Sequence, residues 1–173
     1  MDSSVRTALQ TLLEGYPKEI WAEASRLLLQ DDPVLRCRLE HLVESLFYNL
    51  PAELYLDWAR KAPSQRACII LKWMPLTITT TSGGLAWHPA LEAFITEFGA
   101  ADHVLDELAA RLSPSTWSGS LVPYLEPWIP LLEMWRSHPL PAVRQWANRQ
   151  IVGMKGWIEQ EKRRDEESII RYG

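Results

Sequence analysis

Five helix-opening prolines set the grain of this chain. Pro33, Pro63, Pro89, Pro114 and Pro139 follow one another at intervals of 30, 26, 25 and 25 residues. Proline has no amide N–H and holds φ near about −65°, so it is expelled from helix interiors but fits a first turn. A chain punctuated in this way is cut into short helices. The interval is too short for a complete α-hairpin repeat of about 33–47 residues. It marks single helices laid down in series.

The apolar pattern between the prolines agrees. In YPKEIWAEASRLLLQDD, Pro17 stands near a first helical position and Ile20, Ala24, Leu27 and Leu28 recur at helical spacing. Asp32 and Pro33 open a second stretch as N-cap and N1, with Leu35, Leu39, Leu42, Val43 and Leu46 as its stripe. Pro51 and Pro63 begin two more helices. HPALEAFITEFG and ADHVLDELAARLS read as a pair turning at Gly99, and PWIPLLEMWRS carries Pro127 and Pro130 in its first turn. PLTITTTSGGLAW breaks the pattern: its threonines and the paired Gly83 and Gly84 favour a loop, with no second strand in sight. Within it, Thr79–Gly84 reads as a flexible linker, with an anion cradle as the alternative. The expected fold is all-α. It is one domain over residues 1–173, with roughly seven to nine helices in serial antiparallel hairpins.

The last helix is expected from near Pro141 to about Glu167. Val143, Trp146, Ala147, Gln150, Ile151, Met154, Trp157 and Ile158 recur every three or four residues. Trp146 and Trp157 are 11 residues apart, close to three turns, and so share a face. Both are expected to be buried, as is Trp21. Trp135 belongs to the preceding helix and is placed to pack near Trp146. Gly153 and Gly156 each cost about 1 kcal/mol relative to Ala inside a helix. Close approach of a neighbouring helix, or an inefficient helix at that point, would account for them. From about residue 159 the stripe gives way to EQEKRRDEE, a solvated extension with Glu159–Arg163 and Lys162–Glu166 at i,i+4.

Composition narrows the function classes. A formal charge of −4 argues against a generic nucleic-acid binder. The charge is uneven, however. Residues 101–135 hold one base, Arg111, against Asp102, Asp106, Glu107, Glu126 and Glu133; residues 136–164 hold seven bases against Glu159 and Glu161. Cys37 and Cys68 lie in apolar-periodic stretches and belong to no ligand cluster, which fits buried free thiols in a reduced compartment. No signal peptide and no apolar run long enough to span a membrane is visible, so a cytoplasmic protein is expected. No P-loop, nucleophile elbow or zinc-protease motif is present. Glu40, His41 and Glu44 lie close together, but a solvated helix face accounts for them. His88 and His138, each before a proline, suit capping, and His103 suits solvent. No catalytic residue, metal or cofactor is therefore assigned.

HPLPAVRQWANRQIVGM resembles the second half of a HEAT-type helical repeat, through Pro139, Pro141, Val143, Arg144 and Ala147. Asp32, Pro33, Val34 and Arg36 echo it. The last 70 or so residues, with Trp117–Ser120 and the Glu/Arg-rich finish, also look like the C-terminal helical segments of bacterial STAND-type NTPases. The first resemblance implies an irregular HEAT-like α-solenoid in which Arg144 pairs with an acid of a neighbouring helix. The second implies a sensor or protein-binding scaffold, with a link to bacterial defence. Together they suggest a non-catalytic interaction module with a protein partner. The candidate contact residues are Arg136, Arg144, Arg149, Lys155 and Lys162, if these form a docking surface rather than a solvated face. The alternative is a nucleic-acid-associated helical-repeat protein using the same basic face.

Overall fold

The computed structural model describes residues 11–30, 47, 50–114 and 116–172, the side chains of 166 and 168–172 excepted. The stretch opened by Asp32 and Pro33, with Cys37, Glu40, His41 and Glu44, lies outside the described residues. The described chain is mostly helical. α1 (Pro17–Leu28) starts with Pro17 in its first turn, and α2 (Ala52–Arg60) follows Pro51. The two pack through aromatic edges: Trp21 meets Phe47, Tyr55 and Trp58 in T-shaped contacts at 6.1, 6.4 and 5.7 Å. A single π-helical turn (Pro63–Ala67) leads into α3 (Cys68–Trp73).

The threonine-rich stretch is not a loop. β1 (Thr77–Thr79) and β2 (Leu85–Trp87) pair antiparallel, with Thr77 opposite Trp87 and Thr79 opposite Leu85. The missing partner strand was the other half of the same stretch. Gly83 takes a left-handed φ of 82° in the turn, and the Thr80 N–H donates to the Gly84 carbonyl at 2.8 Å. A hairpin this short is marginal alone. Trp87 fixes it to the body, donating its indole N–H to the Leu131 carbonyl at 2.8 Å.

α4 (Pro89–Phe98) and α5 (Val104–Leu112) turn near Gly99, as expected. α5 packs on α3, and Arg111 Nη1 donates to the Leu71 and Met74 carbonyls, both at 2.6 Å. One cation thereby satisfies carbonyls that the end of α3 leaves open. The short α6 (Val122–Leu125) and α7 (Trp128–Met134) follow, then a 3₁₀ turn (Trp135–Ser137) and α8 (Pro141–Tyr172).

α8 lies against α5, α6, α7 and the 3₁₀ turn. Val143, Trp146, Ala147, Ile151, Met154 and Ile158 are buried along it, and Trp146 is only 2% exposed. A single hydrophobic cluster runs from Leu13 to Met154; Leu125 and Ile158 are buried past its end. Of the two readings of Gly153 and Gly156, close approach of a neighbouring helix does not hold, since a Cβ at either would meet nothing within 4 Å among the described residues. It occurs at Gly99, where a Cβ would lie 2.8 Å from Val143 Cγ2. Among the described residues no helix is long and apolar enough to cross a membrane.

Candidate functional site

Three of the five candidate basic residues, Arg136 in the 3₁₀ turn and Lys155 and Lys162 on α8, face acids that precede them in sequence. Arg136 Nη1 donates to Glu133 at 2.8 Å, Lys155 Nζ to the same carboxylate at 3.2 Å, and Lys162 Nζ to Glu126 at 2.9 Å. The Arg136 hydrogen bond, then that of Lys155, holds the Glu133 carboxyl below its usual range. Arg144 pairs with no acid among the described residues: its Nη1 donates to the His138 and Pro139 carbonyls at 2.8 and 2.9 Å, bracing the entry to α8. Arg149 is exposed and has no ionic partner among the described residues. The charge asymmetry read along the sequence is thus largely matched within the fold. Of the two i,i+4 pairs expected, Lys162–Glu166 lies outside the described side chains, and Arg163 meets the Glu159 backbone rather than its carboxylate. Lys162 reaches across to Glu126, and Arg163 Nε donates to the Glu159 backbone carbonyl at 3.4 Å.

The histidines act on backbone. His88 Nδ1 accepts from the Ala90 N–H at 3.2 Å and His138 Nδ1 from the Leu140 N–H at 3.1 Å, so each stabilises a turn beside its proline. His103 is largely exposed with φ 65° before α5. The Cys68 thiol is partly buried, and burial first, then Glu107, raises its pKa. Among the described residues no three His, Cys, Asp or Glu side chains gather as a metal site. The Thr79–Gly84 segment spends its amides internally: Gly83 N–H on the Thr80 carbonyl (2.9 Å) and Gly84 N–H on Thr80 Oγ1 (3.1 Å). A bound anion would have to compete for both.

A different site emerges where the core ends. Trp157 lies on the same face of α8 as Trp146, yet it is 51% exposed, so its expected burial does not hold. The buried line continues through Met154, Ile158 and Glu161 and leaves Trp157 at its edge. Beside it, the end of α5 (Ser113, Pro114) and the following segment (Trp117, Leu121) wall a groove of about 350 Å³. Trp117 is 49% exposed. Gln160 and Glu161 complete the wall. The Glu161 side chain is only 10% exposed, accepting on Oε1 from the Leu121 N–H at 3.3 Å and from Arg164 at 3.3 Å. Residue 161 is buried although it lies beyond 159, where a solvated extension was expected to begin. The sequence did hold a signal for it. Glu161 falls three residues after Ile158 and seven after Met154, in line with the stripe.

Comparisons of the chain with protein-family models, with curated proteins and with solved structures return no match.

Proposed function

We propose that this chain is a non-catalytic protein-interaction module, and that it holds a peptide segment of its partner in the groove between Trp117 and Trp157. The observation that carries this reading is Trp157 itself, a residue on a core-facing stripe left half-open beside a second half-open tryptophan. Tryptophans in partly walled, apolar surroundings are the commonest anchors of protein interfaces. The groove falls within the size range of peptide and small-ligand sites. Its position at the end of a series of helices suits an irregular HEAT-like solenoid of antiparallel hairpins. The resemblance to the C-terminal segments of STAND-type NTPases supports a sensor or scaffold role in bacterial defence.

Electrostatics favours a protein partner over nucleic acid. Two tryptophans can stack bases, but such platforms are set in positive grooves that track the phosphates. Here the charged group in the described wall is the Glu161 carboxylate, Arg164 is paired with it, and Lys155 and Lys162 are engaged with Glu133 and Glu126. The test is selection of a displayed random dodecapeptide library on the wild-type protein. Sequences should be enriched that bind wild type and lose binding to Trp117→Gln and Trp157→Gln variants of unchanged helicity. Enrichment indifferent to both tryptophans, or none, would overturn the proposal.

A further inference from the structure

The groove joins two indoles to a carboxylate that the fold has not fully used. We infer that it selects an arginine side chain of the bound segment, an inference that rests on the peptide-binding reading above. A carboxylate has two oxygens and about four acceptor positions. Both recorded contacts of Glu161, from the Leu121 N–H and from Arg164, fall on Oε1. Oε2 accepts no hydrogen bond among the described residues. A nine-tenths-buried carboxylate with one idle oxygen, in a wall shared with Trp117 and Trp157, matches a cation with a flat face. Guanidinium is that cation. It stacks on indole, sheds water more readily than an ammonium, and presents several N–H donors in a plane. Lysine offers the charge without the plane.

Arg164 shows from within the chain that a guanidinium can meet this carboxylate. It does so from the solvent side, with its own side chain 67% exposed, so the contact is open to competition. An incoming arginine takes Oε2 and displaces or crowds Arg164. Leu121 and Pro114 supply apolar wall for the residues flanking it. Neutral and acidic segments leave the carboxylate with the Leu121 N–H and the exposed Arg164 and gain nothing from the indole faces beyond area.

The probes are the dodecapeptides selected on wild type and the same peptides with arginine replaced by citrulline, the neutral near-isostere. Arginine should recur in the selected set, and citrulline should weaken binding roughly tenfold, the order of one desolvated cation contact. Glu161→Gln keeps an acceptor for the Leu121 N–H; it should abolish the difference between arginine and citrulline while leaving the thermal midpoint nearly unchanged. Arg164→Ala should tighten the arginine peptide and not the citrulline peptide. Peptides that need Trp117 and Trp157 but bind equally well with citrulline would overturn the inference and leave the peptide-binding reading standing. If no peptide depends on the tryptophans, the reading itself fails. Self-association of the chain that requires Trp157 and blocks peptide binding would make a second copy the occupant and also overturn it.

Discussion

Trp87 and Trp135 lie face to face, their ring centroids 4.3 Å apart and their planes 17° from parallel. Trp128 stacks on the far side of Trp87 at 6.0 Å, and Trp146 touches Trp135 at 6.0 Å. Four tryptophans from a hairpin, α7, a 3₁₀ turn and α8 thus form one aromatic cluster, three stacked and the fourth tilted, in the C-terminal half. Two of their indole donors differ. Trp87 Nε1 has the Leu131 carbonyl, whereas the buried Trp146 Nε1 has no hydrogen-bond partner.

That difference predicts an asymmetry. Trp87→Ala and Trp146→Ala should each cost about 3–5 kcal/mol, the range for removing a large aromatic from a core. Phenylalanine separates them. Trp87→Phe leaves the Leu131 carbonyl without its donor, whereas Trp146→Phe removes an unpaired donor, so the first should cost about 1 kcal/mol or more beyond the second. Urea unfolding of the four variants checks this. Equal costs for the two phenylalanine variants would mean that the Trp87–Leu131 hydrogen bond contributes nothing.

Gly99 makes a second prediction. Its missing Cβ leaves room for Val143 Cγ2, and a methyl there would also stand 2.5 Å from the Ile95 carbonyl oxygen. Gly99→Ala should destabilise by about 1–3 kcal/mol through overpacking. In the Val143→Ala background the added cost should shrink, which a double-mutant cycle measures. Gly153→Ala and Gly156→Ala, in open space on α8, should stabilise by up to about 1 kcal/mol each.

The glycines also show what the sequence could and could not reveal. The pattern of α8, its start at Pro141 and the turn at Gly99 follow from local rules, because capping, helical period and proline chemistry act within a few residues. Which glycine serves a close approach depends on where another helix lies, and the sequence offered Gly153 and Gly156 as readily as Gly99. The hairpin was missed for a similar reason: Thr77–Thr79 is stabilised by Trp87 docking on Leu131, a contact across 44 residues. Trp157 shares the broad apolar face but lies at the edge of the buried line of Met154, Ile158 and Glu161, and periodicity alone does not tell the middle of a face from its edge. The candidate basic residues read along the sequence as a face of their own, although Glu133 pairs with Arg136 and Lys155 and Glu126 pairs with Lys162 in the fold.

His138, which is buried, and His88, which is half-buried, predict a pH dependence. Burial lowers the pKa of His88; for His138 burial comes first, Arg144 adds to it and Glu92 opposes it. Both use Nδ1 as an acceptor, which protonation would disturb. The unfolded chain, near the ordinary histidine pKa of about 6.5, then binds protons before the folded chain does. Stability is therefore full above about 6.5 and falls as the pH drops through that value toward the depressed folded pKa. Thermal midpoints between about pH 7.5 and about pH 5.5 should decline more steeply for wild type than for a His88→Asn/His138→Asn double variant, whose amide oxygens can still accept. Parallel curves would assign the decline to other groups.

Charge reversal on α8 separates structural pairing from partner binding. Lys155→Glu places a carboxylate against Glu133, and Lys162→Glu places one against Glu126. Each should lower the thermal midpoint modestly, and more at low ionic strength than in high salt, because the repulsion between exposed groups is screened. Arg149→Glu, with no ionic partner to oppose, should leave stability nearly unchanged. The same variants decide what the basic face binds. Wild-type protein titrated with single-stranded and duplex DNA and RNA should show no micromolar binding at about 150 mM salt, since only Arg149 among the five candidate residues has no described partner. If binding does appear, with a steep salt slope that Arg149→Glu reduces by about one counterion, the α8 face is a phosphate-binding surface and the tryptophan groove loses its place as the primary site.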